Sequence, residues 1–330
     1  MSTALDVQNL TVTVRRGDQR FNAVESVSFS VDAGEAFGIV GESGSGKSLT
    51  LRAIMALLPG SARLGHGDIV FEGRELAAKG RAARDERRGC MTMVFQDPLS
   101  ALNPVRTIGR QIAEVPRRVL KRSRSESRQR AIELLGLVGV PDPVGRFSAY
   151  PHQLSGGMRQ RVAIAMALAA EPTVLLCDEP TTALDVTVQA QILDLIDKLR
   201  VDLGLAVVFV SHDLGVVREL CQNVAVMYAG RVVESGPTRE LLRAPRHPYT
   251  LGLLRAVVDL DDPIGSLHPI GGTLPDPVHL PSGCAFHPRC PLATAECMTN
   301  VPPLVQVDVE TSGVSIRRSA CFHQDLVEAP

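Results

Sequence analysis

The sequence predicts an α/β fold in which a parallel sheet carries helices on its faces, and three observations predict it. An apolar segment, Ala36–Val40, runs through a glycine-rich turn into a helical pattern. Short apolar segments further along the chain alternate with helical ones, which is typical of strand–helix–strand units. The opening segments Leu10–Val14 and Val24–Val31 alternate apolar and polar residues, which indicates antiparallel strands beside that sheet.

Each later element is predicted from its own pattern. The glycine-rich turn leads into a helix that Pro59-Gly60 should end, and a second helix has Val188, Ile192 and Leu195 at helical spacing. The predicted elements are a helix from about Lys47 to Leu58, a strand Thr173–Cys177, a helix Asp185–Leu203, and strands Leu205–Val210 and Val224–Tyr228. Residues 97–155 interrupt the alternation with mostly helical sequence, which includes the basic run Arg117–Arg130.

Composition narrows the class of protein. The 330 residues include 35 basic and 36 acidic side chains, a net charge of −1, and nucleic-acid-binding proteins usually carry a marked basic excess. No apolar run approaches the roughly 18–20 residues that cross a bilayer, and the N-terminus lacks a secretory pattern, so we expect a cytosolic chain. Prolines crowd the sequence after residue 244. We therefore predict a main domain, 1–250, with a helical subdomain at about 97–155, and a distinct C-terminal region, 251–330.

A phosphate-binding loop is predicted between the first apolar strand and its helix. The segment Gly41–Ser48 has the pattern G-x-x-x-x-G-K-[ST]. Glycines allow successive backbone N–H groups to turn toward phosphate oxygens, and the helix N-terminus adds partial positive charge. Lys47 would supply a full positive charge at the β- and γ-phosphates, and the Ser48 hydroxyl could bind Mg²⁺.

Two carboxylates at the end of a buried strand complete this prediction. Asp178 and Glu179 follow the apolar residues of Thr173–Cys177. Asp178 would hold Mg²⁺ and Glu179 would orient or deprotonate the attacking water. The neighbouring Cys177 is interpreted as a small buried hydrophobic residue.

A further glycine-containing motif points to one family. In Leu154-Ser155-Gly156-Gly157-Met158, Ser155 should cap a helix that runs to about Ala170, and the two glycines should let its first N–H groups approach an anion. The sequence here resembles the ATP-binding cassette (ABC) ATPases, whose signature is LSGGQ, with Met158 in place of the glutamine. The resemblance implies an ATPase that pairs head to tail with a second cassette, so that the signature meets the ATP of the partner.

The resemblance also assigns roles to single residues. Gln96 corresponds to the Q-loop, which contacts Mg²⁺ and water, Asp185 to the D-loop of Ala183-Leu184-Asp185, and His212 to the switch histidine. The implied ATP-binding residues are Gly41, Glu42, Ser43, Gly44, Ser45, Gly46, Lys47, Ser48 and Leu49, with Ser155, Gly156, Gly157 and Met158 acting on the partner's ATP. The adenine-stacking aromatic of the family falls at Val14 or Arg15, and Phe21 is the nearest aromatic.

The C-terminal region carries four of the seven cysteines: Cys284, Cys290, Cys297 and Cys321. In a reducing compartment such thiols are better interpreted as metal ligands or buried residues than as disulfides. Together with Arg246–Thr250 and Gly283–Pro291, they resemble the C-terminal region of oligopeptide/dipeptide importer ATPases, some of which carry a [4Fe–4S] cluster. The resemblance implies a cluster on these cysteines; zinc and plain reduced thiols stay open as alternatives.

The sequence as a whole thus predicts the ATPase subunit of an ABC importer for di- or oligopeptides. The implied partners are two membrane permeases, an extracytoplasmic solute-binding protein and a second ATPase subunit, which we expect to be a paralogue, at the cytoplasmic face of the membrane. An importer ATPase for nickel, glutathione or another small solute is one alternative. A soluble ABC ATPase that acts on nucleic acid or ribosomes is another, although such proteins usually carry two cassettes or long inserted arms.

Overall fold

The computed structural model describes residues 2–76, 80–87, 89–182, 184–256, 270–307 and 316–327. Contacts within the chain divide it into two compact units, and each contains segments that are far apart in the sequence. The first unit comprises Met1–Leu5, Val31–Glu35 and Val70–Val208; the second comprises Asp6–Ser30, Ala36–Ile69 and Phe209–Pro330.

The strands of the described residues include long ones that mix buried and exposed residues and short ones that are fully buried. They are β1 (Thr3–Arg16), β2 (Gln19–Asp32), β3 (Ala36–Val40), β4 (Ala62–Phe71), β5 (Arg74–Glu75), β6 (Met91–Val94), β7 (Val174–Asp178), β8 (Ala206–Ser211), β9 (Asn223–Tyr228), β10 (Arg231–Pro237), β11 (Val305–Gln306) and β12 (Arg318–Ser319). Every residue of β3, β7 and β8 is buried, as expected for strands covered on both faces of a parallel sheet.

The helices of the described residues alternate with these strands. They are α1 (Lys47–Ile54), α2 (Gly80–Arg87), α3 (Pro98–Ala101), α4 (Ile108–Val119), α5 (Arg124–Leu137), α6 (Pro143–Arg146), α7 (Gly156–Leu168), α8 (Val186–Leu203), α9 (Leu214–Leu220), α10 (Thr238–Arg243), α11 (Pro248–Arg255) and α12 (Ala295–Thr299). The α/β fold class predicted from the sequence is confirmed.

The second unit is built around a sheet with parallel and antiparallel pairs. Strand β3 pairs with β9 in parallel, with Gly38 opposite Val224. Strand β9 continues as an antiparallel ribbon into β10, and β10 pairs with β12, which pairs in turn with β11. Strands β2, β1 and β4 are neighbours in a separate sheet, as the alternating opening segments predict.

The first unit has a parallel pair of strands and a group of helices. Strand β6 pairs with β7 in parallel, with Val94 opposite Cys177, and Cys177 is fully buried. Helix α5 packs against α4 and α7. The basic run Arg117–Arg130 lies on α4, α5 and their connection, where Arg118 pairs with Glu114 at 2.5 Å and Arg122 with Glu171 at 2.6 Å. The run is therefore a solvated, ion-paired helix face.

The helix after the glycine-rich turn is shorter than predicted. It ends at Ile54 instead of Leu58. Ala56 adopts a left-handed backbone conformation (φ 54°), and its N–H donates to the carbonyl of Ala53 while the N–H of Leu57 donates to the carbonyl of Arg52. This is a Schellman ending, in which one left-handed residue satisfies the last carbonyls of the helix. Because alanine rarely takes that conformation, the sequence pattern pointed to Pro59 as the end.

A buried carboxylate joins β10 to the segments that follow it. Glu234 is 1% exposed and accepts hydrogen bonds from the backbone N–H of Arg246 (2.8 Å) and of His247 (3.0 Å). Arg317, next to β12, lies 3.6 Å from the same carboxylate, and the Ser319 hydroxyl donates to the carbonyl of Arg246. Burial nonetheless raises the pKa of Glu234 to about 7.

We expect Glu234→Gln to flatten the pH dependence of stability. The folded pKa of about 7 lies above the ordinary value of 4.5, so the wild-type folded state binds more protons and loses stability as pH rises through 7. Between pH 6.5 and 8 the loss should be about 1 kcal/mol in the free energy of unfolding. Urea denaturation at both pH values measures it, with Glu240→Gln, an exposed carboxylate on α10, as the matched control. Equal slopes for wild type and Glu234→Gln would contradict this account.

Candidate functional site

The predicted phosphate loop lies in the second unit, between β3 and α1. Gly44 (φ 85°) and Gly46 (φ 102°) adopt conformations that favour glycine. A Cβ on Gly41 would lie 2.2 Å from the carbonyl oxygen of Met227, and a Cβ on Gly46 would lie 2.7 Å from that of Ala23. The glycines are thus required by backbone geometry and by close approach of neighbouring chain segments.

Lys47 is the first residue of α1 and is 4% exposed. Its Nζ donates to the carbonyl oxygens of Gly41 (2.6 Å) and Glu42 (3.1 Å). The ammonium group is therefore held over the loop that precedes it. Gly46, the N-cap residue that precedes the helix, has no side chain that could cap it. This arrangement can bind an anion through N–H groups, helix dipole and one full charge.

The carboxylates predicted to bind Mg²⁺ (Asp178) and to act in catalysis (Glu179) lie at the end of β7 in the first unit. Asp178 is the last strand residue and is 2% exposed. Glu179 follows in a left-handed backbone conformation (φ 47°), which is uncommon for a non-glycine residue and is often found at functional sites. Its Oε2 accepts hydrogen bonds from Thr182 Oγ1 (2.9 Å) and from Gln96 Nε2 (3.3 Å). The structure thus brings Gln96 and Glu179 together.

The signature segment lies at the start of α7, also in the first unit. Ser155 is the N-cap, and its hydroxyl accepts a hydrogen bond from the N–H of Met158. Ser155 and Gly156 are exposed. A Cβ on Gly157 would lie 2.6 Å from Val188 of α8, so this glycine permits close packing of two helices. No local pattern marks that packing role in the sequence, because it depends on a residue 31 positions away.

The predicted D-loop and switch residues follow strands or precede helices. Asp185 is exposed and caps α8, accepting a hydrogen bond from the N–H of Val188 at 2.9 Å. Ala183 of the predicted D-loop lies outside the described residues. His212, in the second unit, is exposed and follows β8 directly.

The candidate adenine contacts lie on the hairpin of β1 and β2. The Thr13 hydroxyl donates to the Asn22 side chain at 3.0 Å, which places Val14 and Phe21 beside each other on neighbouring strands. Val14 and Phe21 are half-buried, and Arg15 is exposed. Which of them stacks on adenine stays a prediction.

The four C-terminal cysteines line one small cavity of about 10 Å³ in the second unit, together with His247 and Phe286. Burial, and beyond it the mutual repulsion of the thiolates, raises the pKa of Cys284 and Cys290 and raises that of Cys321 to about 11. Among the described residues no three His, Cys, Asp or Glu side chains are arranged around a single metal position. Binding of a metal by these thiols therefore stays a prediction.

Sequence reasoning missed the residues that hold the phosphate loop from the C-terminal side. Arg289 forms an ion pair with Glu42, and the Tyr249 hydroxyl accepts a hydrogen bond from the Glu42 N–H. Their separation from the loop exceeds 200 residues, and neither belongs to a local pattern. The only signal in the sequence was their place in the two segments that resemble the importer ATPases: Tyr249 lies in Arg246–Thr250, and Arg289 lies in Gly283–Pro291.

Comparison with known proteins identifies the family of this chain. The profile of the ABC transporter family matches residues 24–182, and that of the oligopeptide/dipeptide transporter C-terminal region matches residues 233–297. A Brucella melitensis protein named as a peptide import ATP-binding protein is 48% identical over 328 residues, which cover 95% of this chain and 96% of the relative. OppD of Mycobacterium tuberculosis, named as an oligopeptide transport ATP-binding protein, is 47% identical over 99% of this chain and 53% of OppD.

Solved structures of transporter cassettes share the fold. CbiO1 of Clostridium perfringens, described as part of the ABC transporter complex CbiONQ, has a TM-score of 0.63 at 28% identity and covers 73% of this chain and 91% of its own. The ATP-binding cassette MJ0796, solved as a dimer with ADP and phosphate, has a TM-score of 0.63 at 30% identity over 71% of this chain and 99% of its own. The chain therefore belongs to the ABC transporter family of ATPases and carries the C-terminal region of its oligopeptide/dipeptide transporters.

Proposed function

We propose that this chain hydrolyses ATP to power uptake of di- or oligopeptides through partner membrane proteins. The observation that carries the proposal is its likeness, over nearly its full length, to proteins named as peptide import ATP-binding proteins, together with the oligopeptide/dipeptide transporter region at residues 233–297. ATP binding and hydrolysis are properties of the family to which the chain belongs.

The proposed chemistry assigns one role to each residue. Lys47 and the N–H groups of Gly41–Leu49 bind the phosphates and neutralise the charge that develops on the transferred phosphoryl group. Glu179 accepts the proton of the attacking water, and Gln96 orients that water. His212 contacts the γ-phosphate. The Ser48 hydroxyl, the Gln96 amide and the Asp178 carboxylate offer the oxygen ligands that Mg²⁺ prefers and would hold it; Mg²⁺ neutralises phosphate charge when bound.

The signature residues would act on the ATP of a second cassette. Ser155, Gly156, Gly157 and Met158 stand at a helix N-terminus, and the first two are exposed, as contact with a partner's phosphate requires. Asp185 would lie at the same interface. ATP then holds two cassettes together, and loss of the γ-phosphate releases them. We propose a paralogous ATPase as the second cassette.

The membrane part of the system would come from other chains. No helix among the described residues is long and apolar enough to cross a bilayer. Two permeases would bind this chain at the cytoplasmic face of the membrane, and residues 97–155 would dock on them. An extracytoplasmic solute-binding protein would deliver the peptide.

Uptake measurements test the substrate class. Cells that lack this chain are given the wild type or Lys47→Ala, and accumulation of labelled trialanine, nickel ions and glutathione is measured. We expect the wild type alone to restore uptake of trialanine. Restoration of nickel or glutathione uptake instead would favour the other importer classes, and uptake of none of the three would contradict the importer proposal.

We further propose that Cys284, Cys290, Cys297 and Cys321 hold a [4Fe–4S] cluster. All four line one cavity, and clustered thiols are costly to ionise unless a cation compensates their charge. Four thiolates would hold a [4Fe–4S] cluster, with one thiolate for each iron, and a single zinc ion is the alternative. When bound, such a cluster would hold the segments of the C-terminal region that carry the four cysteines together.

The cluster proposal predicts brown protein after anaerobic purification, with iron and acid-labile sulfide. Cys290→Ser should lose both, because a cluster that lacks one thiolate is weakly held. Cys90→Ser is the matched control, since Cys90 lies outside the cavity and should leave the iron content unchanged. Colourless wild-type protein with one zinc, or with no metal, would contradict the cluster.

A further inference from the structure

The C-terminal region contacts the phosphate loop through one buried arginine. Arg289 donates from both terminal nitrogens to the carboxylate of Glu42, at 2.8 Å (Oε2) and 3.0 Å (Oε1). The Arg289 side chain is 3% exposed, and that of Glu42 is 26% exposed. Glu42 is the second residue of the loop, directly after Gly41. A bidentate arginine–carboxylate pair that is nearly buried is the strong and geometrically specific form of an ion pair.

The guanidinium group is itself fixed by its surroundings. Its Nε donates to the carbonyl of Gly271 at 2.8 Å, and a terminal nitrogen donates to that of Ile270 at 3.2 Å. The Tyr228 hydroxyl lies 3.4 Å from the other terminal nitrogen. The five hydrogen bonds of this rigid planar group thus reach the loop, strand β9 and the backbone of residues 270 and 271 in the C-terminal region, so the carboxylate of Glu42 is held in one place.

A second contact holds the backbone of the same loop residue. The N–H of Glu42 donates to the Tyr249 hydroxyl at 2.8 Å. Tyr249 packs against Tyr228 (4.6 Å between ring centroids) and Phe286 (5.4 Å), which limits its movement. The side chain and the N–H of Glu42 are therefore both fixed by residues more than 180 positions away.

Glu42 in turn contacts the residue expected to bind phosphate. Its carbonyl oxygen accepts a hydrogen bond from Lys47 Nζ at 3.1 Å. Without Arg289, the loop would also present an uncompensated carboxylate close to the site of a polyanion, which repels it. The ion pair therefore has two effects, since it fixes the loop and cancels a charge that opposes nucleotide binding.

We propose that Arg289 is a positioning residue of the nucleotide site, through which the C-terminal region sets the affinity of the phosphate loop for MgATP. The proposal rests on the assignment of Gly41–Leu49 to phosphate binding made above. It extends the nucleotide machinery beyond the cassette motifs to a residue that directly precedes Cys290. The C-terminal region is then a part of the ATP site and not an independent appendage.

The test is a double-mutant cycle on the full chain, with MgATP affinity measured by titration calorimetry. Arg289→Ala should raise the dissociation constant at least about tenfold, the scale of a close charge pair. In the Glu42→Gln background, Arg289→Ala should change it less than about threefold, because the repelling carboxylate is gone. The dissociation constant of Arg289→Lys should lie between those of the wild type and Arg289→Ala, because lysine keeps the positive charge but cannot form the bidentate pair. The KM for ATP should rise with Arg289→Ala, while kcat changes less than about twofold.

Controls separate a positioning role from a structural one and from the proposed function itself. Arg318→Ala, at an exposed position of β12 in the same region, should leave MgATP affinity unchanged. If Arg289→Ala weakens MgATP binding equally in the wild-type and the Glu42→Gln backgrounds, the proposal is overturned. It is also overturned if Arg289→Ala unfolds at the wild-type temperature and binds MgATP with unchanged affinity. If Arg289→Ala does not fold, Arg289→Lys and Glu42→Gln carry the same comparison. Unchanged affinity in Lys47→Ala would instead overturn the assignment of the phosphate loop.

Discussion

Replacing Glu179 with Gln is expected to preserve ATP binding, reduce phosphate release by about 10²–10⁴-fold and stabilise the ATP-bound dimer. Gln has the same shape and keeps an oxygen that can accept the hydrogen bonds from Thr182 and Gln96. It cannot accept the proton of the attacking water. The γ-phosphate then stays in place and continues to join the two cassettes.

Phosphate release and size-exclusion chromatography in the presence of MgATP measure the two effects. Since the second cassette is proposed to be a paralogue, chromatography should be run with and without it. Glu133→Gln is the matched control, because Glu133 is an exposed carboxylate of the same unit whose pairing with Arg130 is a surface contact. Near-wild-type hydrolysis by Glu179→Gln would exclude Glu179 as the base.

Lys47→Ala is expected to weaken MgATP binding by about 10²-fold or more and to abolish hydrolysis. Its buried ammonium is the full positive charge of the loop, and a charge-assisted hydrogen bond in a site shielded from water contributes strongly to phosphate binding. The substitution also releases the carbonyls of Gly41 and Glu42 from their donor. Titration calorimetry with MgATP measures the loss.

Lys198→Ala provides the comparison for that measurement, since Lys198 is an exposed lysine on α8. We expect its affinity for MgATP to equal that of the wild type. An affinity of Lys47→Ala within about threefold of the wild type would show that the loop does not bind the phosphates as proposed.

The strands and the nucleotide motifs were predictable because both depend on local sequence. Strand β3 has the predicted bounds, and the short apolar segments at Val174–Asp178 and Ala206–Ser211 lie within one residue of the prediction. Because successive residues of these segments are apolar, both faces of the strands must be buried in a sheet. Family resemblance then supplied the order of the functional residues along the chain.

What the sequence did not reveal depends on contacts between distant residues. The left-handed conformation of Glu179, the close packing of Gly157 on Val188 and the early end of α1 have no local pattern to mark them. The Arg289–Glu42 pair spans 247 positions, and an arginine beside a cysteine gives no indication of its partner. The four cysteines were grouped by their position in the sequence and by family resemblance, and only the structure shows that they line one cavity.

We expect ATP hydrolysis by this chain to be coupled to peptide delivery in the assembled transporter. The rate of phosphate release from the transporter, assembled in lipid nanodiscs with its permeases and its second ATPase subunit, measures this coupling. Binding protein loaded with trialanine should raise this rate several-fold over binding protein without peptide, and Glu179→Gln in this chain should remove the increase. Equal rates with and without peptide would show that hydrolysis is not coupled to peptide delivery.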